Sequence, residues 1–304
     1  PVMGILMGVG MFIQVMTLTG VRGLINIQFA YVSENLYVIE ANPRASRTVP
    51  FVSKATGVQM AKAAVLIGLG KTIAELKAEG YLPSKMDGAS LPQETAIAVK
   101  AAVLPFARFR TPEGVVVDSL LSPEMRSTGE VMGLDKHYDT AIAKAQAGAG
   151  SPLPTSGKVF ISVANHDKRN VIIYAKMLES LGFEIVSTGG TAEILRRNGL
   201  NSVIVASKFA EANGDHSIVD MVRNGDIDLI LNTPAGGAAR SDGYEIRAAA
   251  VSVGCPVMTT ISEFAAAVQA INALREHSWD IMSLQEHGVQ LAAAVDARSE
   301  GGEA

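Results

Sequence analysis

The sequence contains little cysteine and little charge. Cys255 is the only cysteine among 304 residues, so no disulfide can form within the chain. Because disulfides are typical of secreted proteins, this favours a reducing, cytoplasmic location. Charged residues make up 18% of the chain and the formal net charge is −4, which argues against a nucleic-acid-binding surface. Apolar residues make up 48%, which is enough for the cores of two domains of ordinary size.

Charge is missing altogether from the first 21 residues, which are apolar and interrupted by glycine. Their length alone would allow a membrane span, which needs ~20 apolar residues. However, Gln14, Thr17 and Thr19 lie inside the stretch, and no basic cluster precedes it as in a signal peptide. We therefore expect no membrane segment, and we interpret residues 1–20 as an atypical N-terminus that is truncated, misread or recombined.

Two strand-like runs near the start of the chain carry the most informative residues. They are separated by Ser33-Glu34-Asn35 and read Gly23-Leu-Ile-Asn-Ile-Gln-Phe-Ala-Tyr-Val32 and Leu36-Tyr-Val-Ile-Glu-Ala-Asn-Pro-Arg44, which predicts a β-hairpin. Glu40 and Asn42 are two residues apart and therefore share a face of the second strand. With Gln28 from the first strand they form an oxygen-only cluster, which suits Mg²⁺ or Mn²⁺ that carries phosphates.

Two arginines follow the hairpin at once, at Arg44 and Arg47. Guanidinium groups in this place could clamp a phosphoryl group during its transfer. We therefore treat both arginines as candidate catalytic residues, and Gln28, Glu40 and Asn42 as candidate ligands of the metal and of its nucleotide. The competing interpretation is a pair of buried strands whose polar residues merely cap a hairpin.

These residues also carry a family resemblance. The pattern N-x-Q-F … Y-x-I-E-x-N-P-R-x-S-R-T-V-P-F-V-S-K-A-T-G resembles the end of the ATP-grasp core in the carbamoyl phosphate synthetase large-subunit family. Leu104-Pro-Phe106 and Ser122-Pro-Glu-Met-Arg-Ser-Thr-Gly-Glu-Val-Met-Gly133 are similar to the same family. The matches extend from about Val21 to about Ala270, so they cover most of the chain.

The resemblance implies a ligase that makes carbamoyl phosphate from glutamine-derived nitrogen by ATP-dependent phosphorylation of carbamate, for pyrimidine and arginine biosynthesis. It implies ATP and Mg²⁺ or Mn²⁺ as cofactors, a glutaminase small subunit as partner and a higher oligomer. No upstream ATP-grasp lobe precedes Gly23, so we expect the fragment alone to be inactive. Ala101 stands where relatives often carry a Glu that is associated with a cationic amino-acid activator, which leaves ornithine-type activation open.

Turn-forming residues predict one domain boundary, at Gly148-Ala-Gly-Ser-Pro-Leu-Pro-Thr-Ser-Gly157. From Lys158 onward, strand-like and helix-like runs alternate, which predicts a doubly wound parallel sheet. We therefore expect an α/β protein in which a partial ATP-grasp piece of α+β type, over residues 1–150, precedes a second domain over residues 156–304. Beyond Trp279 the periodic pattern fades.

Polar residues follow these predicted strands at the edge where such sheets bind ligands. Thr188-Gly-Gly-Thr191 opens a helix with exposed amides, and Lys168 opens the helix before it, which together suit an anion. Taken alone, such a Gly-rich turn also begins many ordinary helices. The constellation resembles the methylglyoxal-synthase-like domain of the same subunit, which implies UMP or IMP as effector. The candidate effector-binding residues are Ser162, Lys168, Thr188, Thr191, Lys208, Asn232 and Thr233.

Two other functions fit parts of the pattern. One is a stand-alone regulatory module that binds nucleotide or phosphate without catalysis. The other is a lyase like methylglyoxal synthase, which is disfavoured because Asn232-Thr-Pro-Ala-Gly lacks the carboxylate of that family's Gly-Asp. Asp242 would have to substitute for it. We interpret Asp242 and Arg247 as residues that close the pocket rim or form a local ion pair.

Overall fold

The computed structural model of the chain describes residues 20–83, 96–108, 117–121, 124–207, 217–234, 239–276 and 279–301. The predictions for residues 1–19 and for Lys208 lie outside these ranges. The chain forms two compact units, Pro1–Ala96 with Met282–Ala304, and Ile97–Ile281. The boundary predicted between residues 150 and 156 coincides with neither limit of these units and stays a prediction.

The helices and strands follow one another in a mixed order. They are β1 (Asn26–Val32), β2 (Asn35–Asn42), α1 (Thr48–Thr56), α2 (Met60–Gly68), α3 (Ile73–Ala78), β3 (Ile97–Val103), β4 (Gly129–Asp135), α4 (Tyr138–Gly148), β5 (Lys158–Ser162), α5 (Val171–Ser180), β6 (Glu184–Ser187), α6 (Gly189–Arg197), β7 (Ile204–Val205), α7 (Ile218–Arg223), β8 (Leu229–Asn232), α8 (Ala239–Val253), β9 (Val257–Met258), α9 (Ile261–Glu276) and α10 (Leu284–Gly301).

The first unit contains the predicted hairpin. Strands β1 and β2 pair in antiparallel fashion, and the residues between them are Ser33 and Glu34. Both have positive φ angles, 48° and 65°, as a tight two-residue turn of type I′ requires. Asn35, which was expected in the turn, instead pairs with Val32 at the start of β2. The hairpin prediction is therefore confirmed, with a turn shorter by one residue.

The first unit buries few side chains. Among its described residues, Ala63 and Leu76 are the apolar side chains that are buried. Tyr31 and Ile39 on the hairpin are 64% and 61% exposed. One of its helices, α3, begins with a capping box: the Thr72 hydroxyl accepts the N–H of residue 75, and that residue's carboxylate accepts the Thr72 N–H.

The second unit contains a parallel sheet. Its five strands have the order β7-β6-β5-β8-β9, and each neighbouring pair is parallel. The predicted doubly wound sheet is therefore confirmed. Because the chain builds outward from β5 to β7 and then returns to β8, the strand order reverses between β5 and β8. The crevice beyond the carboxyl ends of strands at such a reversal is where ligands bind in this architecture.

Both faces of this sheet are covered by apolar side chains. Successive residues of β5 point to opposite faces, so Val159 and Ile161 join one core while Phe160 joins the other. All three side chains are fully buried. Burying one such side chain contributes ~1.5–3 kcal/mol, which explains the continuous apolar runs in β5 and β8. The carboxyl end of the sheet, where the polar residues lie, is therefore supported by packed apolar cores on both faces.

A smaller antiparallel pair, β3 with β4, belongs to the same unit and packs against α4. The contact is close because Gly133 has no side chain: a Cβ there would overlap the backbone of Ala141 and Ala145. Helix α4 also packs against α9, and Ala143 belongs to the main core. Residues before the predicted linker therefore contribute to the core of the parallel-sheet unit.

Beyond Trp279, where the periodic pattern of the sequence fades, the chain forms helix α10. It extends from Leu284 to Gly301 and belongs to the first unit. Ser283 caps it, because its hydroxyl accepts the Glu286 N–H at 3.2 Å and the Glu286 carboxylate accepts the Ser283 N–H at 2.7 Å. Within the described part of the chain, no helix combines the length and the apolar character that crossing a membrane requires.

Candidate functional site

The first candidate site lies on one face of the hairpin. The strand register pairs Gln28 directly with Glu40, so the two side chains project from the same face. The amide Nδ2 of Asn42 donates a hydrogen bond of 2.9 Å to Glu40 Oε1. The structure thus brings Gln28, Glu40 and Asn42 together, and their role as ligands stays a prediction.

Asn26 is a neighbour that the sequence analysis did not include among the candidates. It pairs with Asn42 in the same register and so extends the polar face by one amide. The available signal was the two-residue spacing of Asn26 and Gln28 in the N-x-Q motif, which matches the spacing of Glu40 and Asn42. The face therefore presents one carboxylate and three amides.

The two candidate arginines lie between β2 and α1. The Arg44 N–H donates to the Asn42 carbonyl at 2.8 Å, which turns the chain out of the strand, and Arg44 Nη1 donates to Ala45 O at 3.3 Å. Arg47 occupies the N-cap position of α1 but makes no side-chain cap. Both arginines are exposed. Their guanidinium groups are therefore accessible to a phosphate that approaches the hairpin.

The side-chain oxygen atoms on the hairpin suit a hard cation. Glu40 offers a carboxylate, and Gln28 and Asn42 offer amide oxygens, which is the chemistry of a Mg²⁺ or Mn²⁺ site. Among the described residues, no group of three or more His, Cys, Asp or Glu side chains is arranged to hold an ion. One carboxylate with amides therefore fits a cation that takes its other ligands from phosphates and water.

The second candidate site lies at the carboxyl edge of the parallel sheet. Ser162 ends β5 and Thr188 immediately precedes α6, and their hydroxyl oxygens are 3.3 Å apart. Thr191 in the first turn of α6 is 2% exposed, and its hydroxyl accepts a long hydrogen bond of 3.5 Å from the Val163 N–H. These contacts hold the loops after β5 and β6 side by side.

Lys168 lies close to the start of α6. A Cβ placed on Gly190 would be 3.3 Å from Lys168 Nζ, so the amine lies against the first turn. The first amides of a helix have no partner within it and carry partial positive charge. Thr188 is the N-cap residue, but its side chain does not cap the helix. The amine and the helix N-terminus together form a positive site that suits a phosphate.

Asn232 and Thr233 close the same edge at the end of β8, and each is 7% exposed. The Thr233 N–H donates to Ser162 O at 3.2 Å, and its hydroxyl accepts the Ala164 N–H at 2.9 Å. Thr233 therefore ties β8 to the loop after β5. Of the candidate effector residues, Lys208 is the one that lies outside the described part of the chain.

A cleft of about 780 Å³ opens at the loop that follows β5. Its polar walls come from that loop and from the start of α9, and they are formed by His166, Asp167, Arg169, Thr259, Thr260 and Ser262. Thr233 also lines this cleft, whereas Lys168 and Thr188 do not. Thr233 is therefore the point at which the predicted effector site meets this cleft.

Ala101 lines a different cleft, of about 650 Å³. The Ala101 side chain contributes a methyl group to the wall of this cleft, at the position where relatives were expected to carry a carboxylate. Glu263 lines the same cleft from α9, and its carboxylate accepts the Thr259 N–H at 3.3 Å. Because that bond lies at the start of the helix, the carboxylate serves as part of the helix cap.

Arg247 is a buried residue whose partner the sequence analysis did not identify. It is fully buried on α8 and forms a forked ion pair with Asp118, in which both N···O distances are 2.7 Å. Its third nitrogen donates to Asn232 Oδ1 at 2.8 Å. The partners are 129 residues apart in sequence, so no local pattern indicates the pair.

Two family models match the chain. The model of the carbamoyl-phosphate synthase L chain, ATP binding domain, matches residues 10–76. The model of the MGS-like domain matches residues 170–259. The first match contains the whole hairpin with Arg44 and Arg47. The second contains the candidate effector residues other than Ser162 and Lys168.

Similar curated proteins are carbamoyl phosphate synthase large chains. That of Kocuria rhizophila is 70% identical over 270 residues, which are 88% of this chain and 24% of the relative. That of Paenarthrobacter aurescens is 65% identical over 281 residues, 91% of this chain and 26% of the relative. That of Streptomyces coelicolor is 57% identical over 279 residues, which are 91% of this chain and 25% of the relative. This chain therefore belongs to the carbamoyl phosphate synthase large-chain family, and it spans about a quarter of the length of the relatives it matches.

Proposed function

We propose that this chain is part of a ligase that makes carbamoyl phosphate with ATP, and that its parallel-sheet unit binds a nucleotide effector. The observation that supports this most strongly is that the hairpin cluster lies within the segment that matches the ATP-binding domain. The proposed reaction is the ATP-dependent phosphorylation of carbamate, with nitrogen from glutamine. Its product would enter pyrimidine and arginine biosynthesis.

In this proposal the hairpin positions ATP. Glu40, Gln28 and Asn42 would hold Mg²⁺ or Mn²⁺, and the ion when bound neutralises negative charge on the phosphates. Arg44 and Arg47 stabilise the charge that develops on the phosphoryl group during transfer. Because phosphoryl transfer asks little covalent chemistry of a protein, positioning and electrostatic stabilisation are the work of these residues.

The parallel-sheet unit would bind the phosphate of UMP or IMP. Lys168 and the N-terminus of α6 supply positive charge, and the hydroxyl groups of Thr188 and Thr191 supply donors. Lys208, Asn232 and Thr233 would lie near the sugar or the base. Ser162 completes the proposed site. The MGS-like match supports this assignment, since it covers most of these residues.

We further propose a glutaminase small subunit as partner, a higher oligomer and a cytoplasmic location. The relatives are called large chains, which supports a smaller partner subunit. A second candidate function is a regulatory module that binds nucleotide or phosphate without catalysis. It is favoured by the contrast between the packed core of the parallel-sheet unit and the few buried side chains of the first unit.

The catalytic proposal is tested by replacing Glu40 with Gln in a full-length large chain that carries this sequence. The loss of the carboxylate leaves the metal and phosphate charges uncompensated, so we expect ATP formation from carbamoyl phosphate and ADP to be abolished. Glu34→Gln is the matched control, because it makes the same change at the exposed turn of the same hairpin. Near-normal activity of Glu40→Gln, or equal loss in both variants, would contradict the assignment.

A further inference from the structure

The ion pair of Arg247 connects the sheet edge to a distant segment of the same unit. The guanidinium group donates from Nε and Nη2 to the two carboxylate oxygens of Asp118, at 2.7 Å each. Such forked pairing fixes the plane of the guanidinium group as well as its position. The remaining nitrogen, Nη1, points to Asn232 and donates to its Oδ1 at 2.8 Å. Asp118 therefore determines where Arg247 can place its third donor.

This contact determines the orientation of the Asn232 amide. A side-chain amide has one acceptor end and one donor end, whereas a guanidinium group has donors only. Because Arg247 can satisfy only the oxygen, the amide is held with Oδ1 toward Arg247 and Nδ2 turned away from it. Within the described part of the chain, Nδ2 donates to no protein acceptor, so its donors remain available at the sheet edge.

The contact between Arg247 and Asn232 fits only because Gly243 has no side chain. Gly243 lies on α8 one turn before Arg247, and a Cβ on Gly243 would collide with both Arg247 Nη1 and Asn232 Oδ1. Arg247 itself is fully buried, whereas the Asp118 side chain is 26% exposed. Even a paired buried guanidinium group adds little net stability, because desolvation offsets the attraction, so stability alone does not account for this ion pair.

We propose that Arg247 is a positioning residue of the effector site: held by Asp118, it makes Asn232 present its Nδ2 donors to the ligand. The ligand atom that meets Asn232 is therefore a hydrogen-bond acceptor, such as a hydroxyl or carbonyl oxygen of a nucleoside monophosphate. This inference rests on the proposed nucleotide site. It adds that the part of the ligand beyond the phosphate is selected by an amide whose orientation depends on Asp118.

The test separates the phosphate from the rest of the ligand. The complete chain is titrated calorimetrically with UMP, with IMP and with inorganic phosphate, and the tighter nucleotide is used for comparison. Gly243→Ala keeps the helix, because Ala is a better helix former than Gly, but it displaces the Arg247–Asn232 contact. Asp118→Asn removes the charge that fixes Arg247 and keeps the shape of the side chain.

We expect either variant to weaken nucleotide binding by ~3–10-fold, as for the loss of one hydrogen bond, and to leave phosphate binding unchanged within about two-fold. Asp135→Asn is the matched control, because Asp135 forms an ion pair of 2.7 Å with Lys144 elsewhere in the same unit. It should change neither affinity. If Asp118→Asn does not fold, Gly243→Ala alone decides.

Three results would overturn the inference. Nucleotide affinity that is unchanged in folded Gly243→Ala would show that Arg247 does not position Asn232 for the ligand. Equal weakening of nucleotide and phosphate would show that the ion pair only supports the structure. If the unaltered chain binds neither nucleotide, the proposed effector site fails first and the inference fails with it.

Discussion

The two candidate sites of this chain differ in how their side chains are held. On the hairpin, Gln28 and Glu40 are exposed, and the hydrogen bond from Asn42 to Glu40 is local to one strand. At the sheet edge, Thr191 and Asn232 are 2% and 7% exposed and are bound by groups from other elements. A preorganised site needs little rearrangement to bind its ligand. The exposed side chains on the hairpin, in contrast, become ordered only when a cation or a phosphate binds to them.

The difference follows from the scaffolds beneath the sites. The parallel sheet has apolar cores on both faces, and Phe160 and Ile161 illustrate how one strand serves both. The described part of the first unit offers two buried apolar side chains, Ala63 and Leu76. A loop mounted on a packed sheet has few alternative positions, whereas a hairpin with exposed faces keeps more freedom.

The largest expected effect concerns burial at Cys255. Burial raises the pKa of its thiol from the ordinary value of 9.0 to about 12, and the Asp228 carboxylate adds to the shift. Because the thiolate is the reactive form, Cys255 should react with iodoacetamide at pH 8 roughly 10³-fold more slowly than an exposed cysteine. Ser33→Cys at the hairpin turn provides that reference in the same chain. Mass spectrometry of the two alkylated sites measures both rates.

The raised pKa of Cys255 also fixes how its contribution to stability changes with pH. Because the folded state favours the protonated thiol, Cys255 contributes stability at pH values below its unfolded pKa of 9.0. This contribution is lost as the pH rises through the folded pKa of about 12. The alkylation rate of Cys255 should therefore keep rising well above pH 9, where that of the exposed reference levels off. Similar rates for the two cysteines at pH 8 would refute the contrast in burial.

The second largest effect concerns Arg44. Removing a preorganised cation from a developing phosphate charge typically lowers turnover by ~10²–10³-fold. We expect this loss for Arg44→Ala in a full-length large chain that carries this sequence, with little change in melting temperature. Arg22→Ala, which removes another exposed arginine of the same unit, is the control. A change in stability alone would make Arg44 a structural residue.

The smallest effect concerns the domain boundary. We expect a fragment of residues 156–304 to fold alone and to unfold cooperatively, as the predicted linker implies. It lacks Ala143 and Leu153, which belong to the main core, so it should melt roughly 5–10 °C below a fragment of residues 97–281. Circular dichroism on heating compares the two. An insoluble or non-cooperative fragment 156–304 would place the boundary before β3.

Local signals in the sequence predicted the local structure. The hairpin followed from two β-rich runs around Ser33 and Glu34, and the parallel sheet followed from the strand–helix alternation after Lys158. Glu40 and Asn42 were assigned to one face because strand residues alternate, and their hydrogen bond agrees with this. The hairpin and the shared face need only neighbours within a few residues, and the parallel sheet needs only the order of such local runs along the chain.

The contacts that sequence reasoning missed are long-range or lack periodicity. Strands β3 and β4 pair although residues 104–128 lie between them, and Arg247 meets Asp118 across 129 residues. Helix α10 has no apolar stripe, so periodicity did not indicate it. Its signal was the capping box of Ser283 and Glu286 followed by alanines, which a search for caps would have found.

The most direct test of this account is nucleotide binding to the complete chain. Calorimetric titration with UMP and IMP should show saturable binding of at least one, and Lys168→Ala should weaken it by ~10–100-fold, as for one charged contact. Lys176→Ala, on the exposed face of α5, should leave the affinity unchanged. Absence of binding by either nucleotide, or equal affinity of the Lys168→Ala variant, would contradict a preorganised effector site at the sheet edge.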